Sequence, residues 1–272
     1  MHRGRVALLI GVVSTVACVA AMACTDVSTD PDTVVAVRFD GSVYPSIVVG
    51  DSLRDSLGAL QPVRATGLNY KGDVVEGADF VFSSPDTNLR VNNDGMVFAR
   101  SRKTDGSPAR IFATVGSLQS QPDSLLIVAR ADSMKAVQDV DTANVSPTTG
   151  DASTGETLVQ FVVFGDTAAT APKVVVPGWL VSFQLRYHGS LLPPSDTSKA
   201  YTFVIVGSGE NSRRKPTSVD TTDASGKAER GVFVRSVSAG VPEDTIFLIA
   251  TIRARKTGAA PISDTTMILL RR

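Results

Sequence analysis

Only two histidines, His2 and His188, occur among the 272 residues. Acid–base and nucleophilic catalysis draw most often on an imidazole held beside the reacting group, so His188 comes first. A Ser-His-Asp triad would have to use it, yet the sequence contains no G-x-S-x-G nucleophile elbow. Its setting, Arg186-Tyr187-His188-Gly189-Ser190, closes an apolar-alternating run and enters a turn. That reads as an exposed turn residue. The run Gly150–Thr157, GDASTGET, has the outline of a phosphate loop, but Glu156 stands where a lysine must neutralise phosphate oxygens. The apolar LVQFVVF that follows is strand-like, so no helix N-terminus faces a ligand. Carboxylate pairs for glycoside hydrolysis are not excluded by spacing, because 27 acidic residues permit many pairs.

Two aspartate clusters could ligate calcium: TDVSTDPD at 25–32, and Asp132, Asp139 and Asp141. Neither has the ligand spacing of an EF-hand loop, and solvated loop acids are the expectation. The densest basic run, NSRRKP at 211–216, reads as a solubilising loop. Trp179 could stack on a sugar, with Tyr187 and Tyr201 as further candidates for an aromatic row. Its alternation with Val181, Phe183 and Leu185 instead puts it on an apolar strand face. The expected catalytic, cofactor and metal residues are therefore none.

The remaining chemistry belongs to cysteine. Both cysteines, Cys18 and Cys24, lie in or beside the N-terminal segment MHRGRVALLIGVVSTVACVAAMAC. Two arginines precede a run of 18 uncharged residues, Val6 to Ala23. As a helix it would rise about 27 Å, against a bilayer core of about 30 Å. Ala21-Met22-Ala23 has the small-x-small pattern of a signal-peptidase site, which makes 1–23 a signal peptide and Cys24 the new N-terminus. AMAC at 21–24 resembles the lipobox of bacterial lipoproteins, with Ala21 where leucine is usual. The resemblance implies lipidation of Cys24, a membrane anchor at the cell envelope (outer membrane or cell surface), and an acidic tether over 24–32. The same cut without lipidation gives a soluble secreted protein, and an uncut segment gives a single-pass anchor. With both cysteines accounted for, no disulfide framework exists, and zinc and copper sites lack ligands.

The elements that must carry this chain outward are strands. Lysine plus arginine and aspartate plus glutamate balance at 27 each, so no polybasic footprint marks a nucleic-acid partner. Val, Thr, Ser, Asp and Gly recur, and beyond residue 30 no dozen residues hold a 3.6-residue apolar period. From Thr33 onward, short alternating runs recur between turn residues every 8 to 12 residues or so, the pattern of β-sandwiches. Asp94-Gly95, between LRVNN and MVFAR, predicts a tight hairpin. Sandwich cores without disulfides fit two units: 33–131 and 132–272, with the polar ARADSM stretch between them, folding independently.

The first unit resembles the bacterial Ig-like group 2 domain. The matching pieces are VVGDS at 48–52, Ala65 to Gly72, FVFSSPD at 80–86, LRVNNDGMVFA at 89–99 and ARIFATV at 109–115. Phe82 stands where that family often has tryptophan, implying an aromatic core residue. In the second unit, TTDASGKAERGVFV at 221–234 is similar to the T-D-x-x-G-x-A hairpin of group 1 domains of invasin-type proteins, and PGWLVSFQL to the preceding strand. The resemblances imply an all-β chain of two immunoglobulin-like sandwiches in tandem after a signal peptide. They imply a noncatalytic surface lipoprotein acting as spacer, adhesin or protein-binding module. The competing expectation is an accessory polysaccharide-binding module of an extracellular enzyme system. A surface protein or glycan is the expected partner class; no cofactor is expected, and the sequence leaves the oligomeric state open. Long irregular loops at 141–156 and 188–199, the latter with Leu191 and Leu192, are the expected recognition surfaces.

Overall fold

A computed structural model describes residues 28–42, 44–145, 154–166, 173–196, 201–207, 216–236 and 243–271. Cys24, the signal segment and the run 211–215 lie outside them. Every regular element described is a strand. The first ten are β1 (Ala36–Phe39), β2 (Ser46–Val48), β3 (Ala65–Leu68), β4 (Val74–Val75), β5 (Val81–Ser83), β6 (Leu89–Val91), β7 (Val97–Ala99), β8 (Ala109–Val115), β9 (Leu118–Gln119) and β10 (Asp123–Val128). There follow β11 (Arg130–Ala136), β12 (Val140–Asn144), β13 (Thr154–Asp166), β14 (Val174–Val175), β15 (Leu180–Tyr187) and β16 (Ser190–Leu192). The last six are β17 (Ser195–Asp196), β18 (Tyr201–Val206), β19 (Val219–Thr221), β20 (Lys227–Ser236), β21 (Asp244–Ile252) and β22 (Ile262–Arg271).

Strand order identifies the architecture. In the second half one sheet runs β11-β13-β20-β18-β17 and the other β12-β22-β21-β15-β16. Taken in chain order, these are the A-B-E-D and G-F-C sets of an immunoglobulin sandwich. The opening strand is divided between the sheets: β11 pairs antiparallel with β13, whereas β12 pairs parallel with β22. The first half repeats the scheme, with β2-β10-β8-β5 as one sheet and β2 parallel to β10. Its opposing side is broken into β1-β3-β4 and the β6-β7 hairpin. The hydrogen bond from Val63 N–H to Gly95 O joins the two pieces.

Alternation builds the cores. Along β15, Val181, Phe183, Leu185 and Tyr187 are buried while Ser182, Gln184 and Arg186 face water. Beneath them, Phe161 meets Phe183 edge-on at 5.9 Å. Burying each such side chain contributes about 1.5–3 kcal/mol. The first core is smaller and centres on Ile47, Leu53, Val97, Ile111 and Leu125. Phe82 is only half-buried and packs edge-on against Phe39 at its margin. The family's core aromatic is therefore a peripheral one here.

Several expectations change. MKAVQDV is not one strand: the chain leaves one sheet at Ala136 and enters the other at Val140. ARADSM is not a linker. Ala129 alone separates β10 from β11, and Ala129, Ala131 and Met134 are buried. Parts of the two long loops are strand. Residues 141–144 belong to β12, and 154–156 open β13, while 146–153 lies outside the described residues. Leu191 is exposed, but Leu192 is buried in β16, and β17 carries the chain to the opposite sheet. The 221–234 run spans two sheets rather than forming a hairpin in one, since β19 pairs with β15 and β20 with β13 and β18. At Asp94-Gly95 the turn is wider than two residues. Asn92 O accepts from Gly95 N–H, and Gly95 alone takes a positive φ, +77°. A Cβ there would lie 2.3 Å from Val63 O, so only glycine lets the hairpin meet the neighbouring segment.

Candidate functional site

His188 sits at the β15–β16 turn with φ +46° and a mostly exposed ring. The ring stacks on Tyr187 at 4.1 Å, and its Nε2 lies 3.0 Å from Asp244 Oδ2. Tyr187 Oη donates to the same carboxylate at 2.7 Å. Burial pushes the Asp244 carboxyl up, but hydrogen bonds from Tyr187, Thr245 N–H and His188 outweigh it and hold it below its ordinary value. Among the described residues no serine, threonine or cysteine hydrogen bonds to the imidazole. The arrangement fastens a turn and presents no nucleophile.

The aspartates expected near the junction disperse. Asp132 Oδ1 accepts from Lys173 Nζ at 3.0 Å and from Ser133 Oγ, whereas Asp141 accepts from Thr157 Oγ1. Among the described residues no group of three or more His, Cys, Asp or Glu side chains converges on a metal-sized space. Near the terminus, Asp30 accepts from Asp32 N–H at 3.0 Å and from Thr33 Oγ1 at 3.1 Å, a local turn. Of the aromatic row, Trp179 is 1% exposed and Tyr187 8%; the Tyr201 side chain lies outside the described residues.

The structure instead gathers its unusual chemistry where the two sandwiches meet. Arg255, on the loop after β21, adopts φ +51°, a left-handed conformation that costs a non-glycine residue about 1–2 kcal/mol. Its guanidinium lies between the rings of Tyr44 and Trp179, 4.1 Å from each centroid. Nη1 donates to Ser46 O at 2.7 Å, and Nη2 to Gly178 O at 3.4 Å. Ser46 Oγ donates to the same Gly178 O at 2.6 Å, stitching β2 to the turn before β15. Burial pushes Arg255 down to about 10, so it stays charged at neutral pH. No carboxylate pairs with it among the described residues.

Local structure fixes each partner. Trp179 is anchored by its own N–H to Thr222 Oγ1 at 2.8 Å and by Nε1–H to Arg253 O at 3.1 Å. A second brace runs beside the first. Arg130 donates to Ala254 O and Arg255 O, each at 3.0 Å, and to Asp51 Oδ2 at 2.5 Å. Arg54 Nε reaches Asp51 Oδ1 at 3.0 Å, and its Nη1 reaches Gly58 O at 2.9 Å. Thr257 Oγ1, from the second sandwich, donates to that same Gly58 O. Gly58, at φ +89°, lets the loops touch: a Cβ would lie 2.4 Å from Thr257 N. Val48 and Val128 of the first sandwich pack into the core of the second.

Beside Arg255 opens a cleft of about 270 Å³, with Ser56, Ser182, Val219, Thr251 and Arg253 among its walls. Its lining holds two arginines and no acid. Of this site the sequence marked only Trp179, as an inward residue of its strand. Tyr44, Trp179 and Arg255 share no local period, so nothing in the sequence joins them.

No family model matches the chain, and no curated protein sequence matches it. Several solved structures resemble it distantly. The adhesin InvE of Yersinia pseudotuberculosis aligns at 14% identity over 86% of this chain and 58% of that one, with a TM-score of 0.32. Domains 5–6 of the S-layer protein SbsC align at 12% identity over 87% and 97%, with a TM-score of 0.27. The EC1-3 fragment of Drosophila N-cadherin aligns at 9% over 89% and 68%, with a TM-score of 0.28. Likeness at this level transfers no function; the sandwich assignment rests on the strand order itself.

Proposed function

We propose that this chain is a noncatalytic envelope protein, exported and held to a membrane through a lipid on Cys24. Its two immunoglobulin-like units, the first of group 2 type and the second, which begins with β11, of group 1 type, hold a binding surface at a set distance and angle from that membrane. One observation carries the reading: the sandwiches are joined through a single buried residue, Ala129, and locked by Arg255 between Tyr44 and Trp179. A flexible string of modules needs an exposed, polar connection, whereas a spacer or presenting arm needs a stiff one. Site chemistry supports the noncatalytic part, since His188 faces a carboxylate and a ring rather than a nucleophile. The buried Trp179 and Tyr187 weigh against an aromatic sugar platform. Small-angle scattering of the full chain in detergent, with contrast matched to the micelle, tests the stiffness. The expected result is one narrow interdomain distance, unchanged between low and moderate salt. A broad distribution fitting freely jointed domains would refute the spacer reading.

A further inference from the structure

We infer that the junction cleft is a docking site for a partner protein, whose aspartate or glutamate side chain inserts beside Arg253 and Arg255. Charge is the first argument. Arg255 is buried with its charge met by two ring faces and two carbonyls but by no carboxylate among the described residues, and buried charges are most often paired. Arg253 is exposed at the same cleft, and its guanidinium has no acid partner among the described residues. A carboxylate entering the cleft meets the exposed planar donors of Arg253, with the charge of Arg255 in the wall beside it. Size is the second argument. At about 270 Å³ the space falls just under the range of about 300–1,000 Å³ typical of small-molecule sites, and suits one side chain. The surroundings separate a protein from a glycan. Val219 on the wall is 41% exposed, and Leu57, next to Ser56, is 65% exposed. Apolar neighbours around a charged centre match a protein surface. The inner faces of Trp179 and Tyr44 are covered by Arg255, so no free ring face is left there for a sugar to stack on.

This inference deepens the binding half of the proposed function. Scattering reports the junction and titration reports the cleft, so either can fail alone. Trp179 is the only tryptophan, which gives the full chain a single indole N–H signal at the cleft. The probes are acetyl-Leu-Glu-Leu-amide, its glutamine isostere, and glucuronate, at constant ionic strength. The glutamate peptide is expected to move the indole signal saturably, with the glutamine peptide at least about tenfold weaker. Arg253→Ala should weaken the glutamate peptide by a similar factor, while Lys135→Ala, on β11 outside the cleft, keeps wild-type affinity. The inference is overturned if the glutamate peptide gives no saturable shift, if the glutamine peptide binds as well, or if Arg253→Ala is without effect. Glucuronate binding as tightly as the peptide would overturn the protein partner as well.

Discussion

Replacing Arg255 with methionine removes the charge and the donors at the junction while keeping a long unbranched side chain. Two desolvated ring faces contribute about 2 kcal/mol each. The bonds to Ser46 O and Gly178 O add about 1 kcal/mol each after exchange with water. Against this, burial that pushes the guanidinium down to about 10 corresponds to a cost of about 3 kcal/mol, which the substitution recovers. The expected net loss is about 3 kcal/mol. For a cooperative unit of this size, that lowers the melting midpoint by about 6–12 °C. Calorimetry of the wild type and of Arg255→Met measures it, and the indole N–H of Trp179 should shift as its stacking partner leaves. An unchanged midpoint together with an unchanged indole signal would show that the stacked guanidinium holds nothing, and the stiff junction would lose its basis.

Gly95→Val should destabilise the first sandwich by about 2–4 kcal/mol, because a β-branched residue at φ +77° also drives Cβ to 2.3 Å from Val63 O; an unaltered melting curve contradicts this. Acid should loosen the junction. Burial pushes the Asp51 carboxyl up, but bonds from Arg130, Ser52 N–H and Arg54 outweigh it and hold it below its ordinary 3.8. A lowered folded value stabilises fully above 3.8 and is lost as pH falls through the folded value, so Asp51→Asn should flatten the acid limb of stability below about pH 4 while leaving the neutral plateau pH-independent. Cys24→Ser should move the protein from the detergent phase to the aqueous phase. Each buried acyl CH₂ contributes about 0.8 kcal/mol to attachment, and the thioether cannot form. Retention of both forms in the membrane fraction removes the anchor from the proposal.

What the sequence disclosed follows from the range of its signals. Period-two alternation reports which face a residue takes, so the inward row Trp179, Val181, Phe183 and Leu185 was legible, as were the strands of β13 and β21. Glycine after aspartate marked the Gly95 turn but not its width, because only the approach of Val63 decides how many residues the loop needs. Short polar VDTAN gave no strand signal, since β12 is held by parallel pairing to β22, more than a hundred residues later. ARADSM looked like a linker because its inward residues, Ala129, Ala131 and Met134, are two alanines and one methionine at unequal spacing, which do not make a period. The junction was illegible for the same reason at larger scale. An arginine ending TIRAR carries nothing local that says two rings from distant strands will enclose it.

The two parallel pairings have a mechanical consequence. A protein fixed at one end and gripped near the other is pulled along its strands. In each sandwich the opening strand lies parallel to the closing one, through Ser46–Val48 against Leu126–Val128 and Val140–Asn144 against Met267–Arg271. Tension drawing these strands past each other loads every bond of the ladder at once, whereas a hairpin pulled from its open end parts one rung at a time. Five paired residues in the second sandwich and three in the first therefore rank the units by the force each withstands. Under load, the first sandwich is the one that yields.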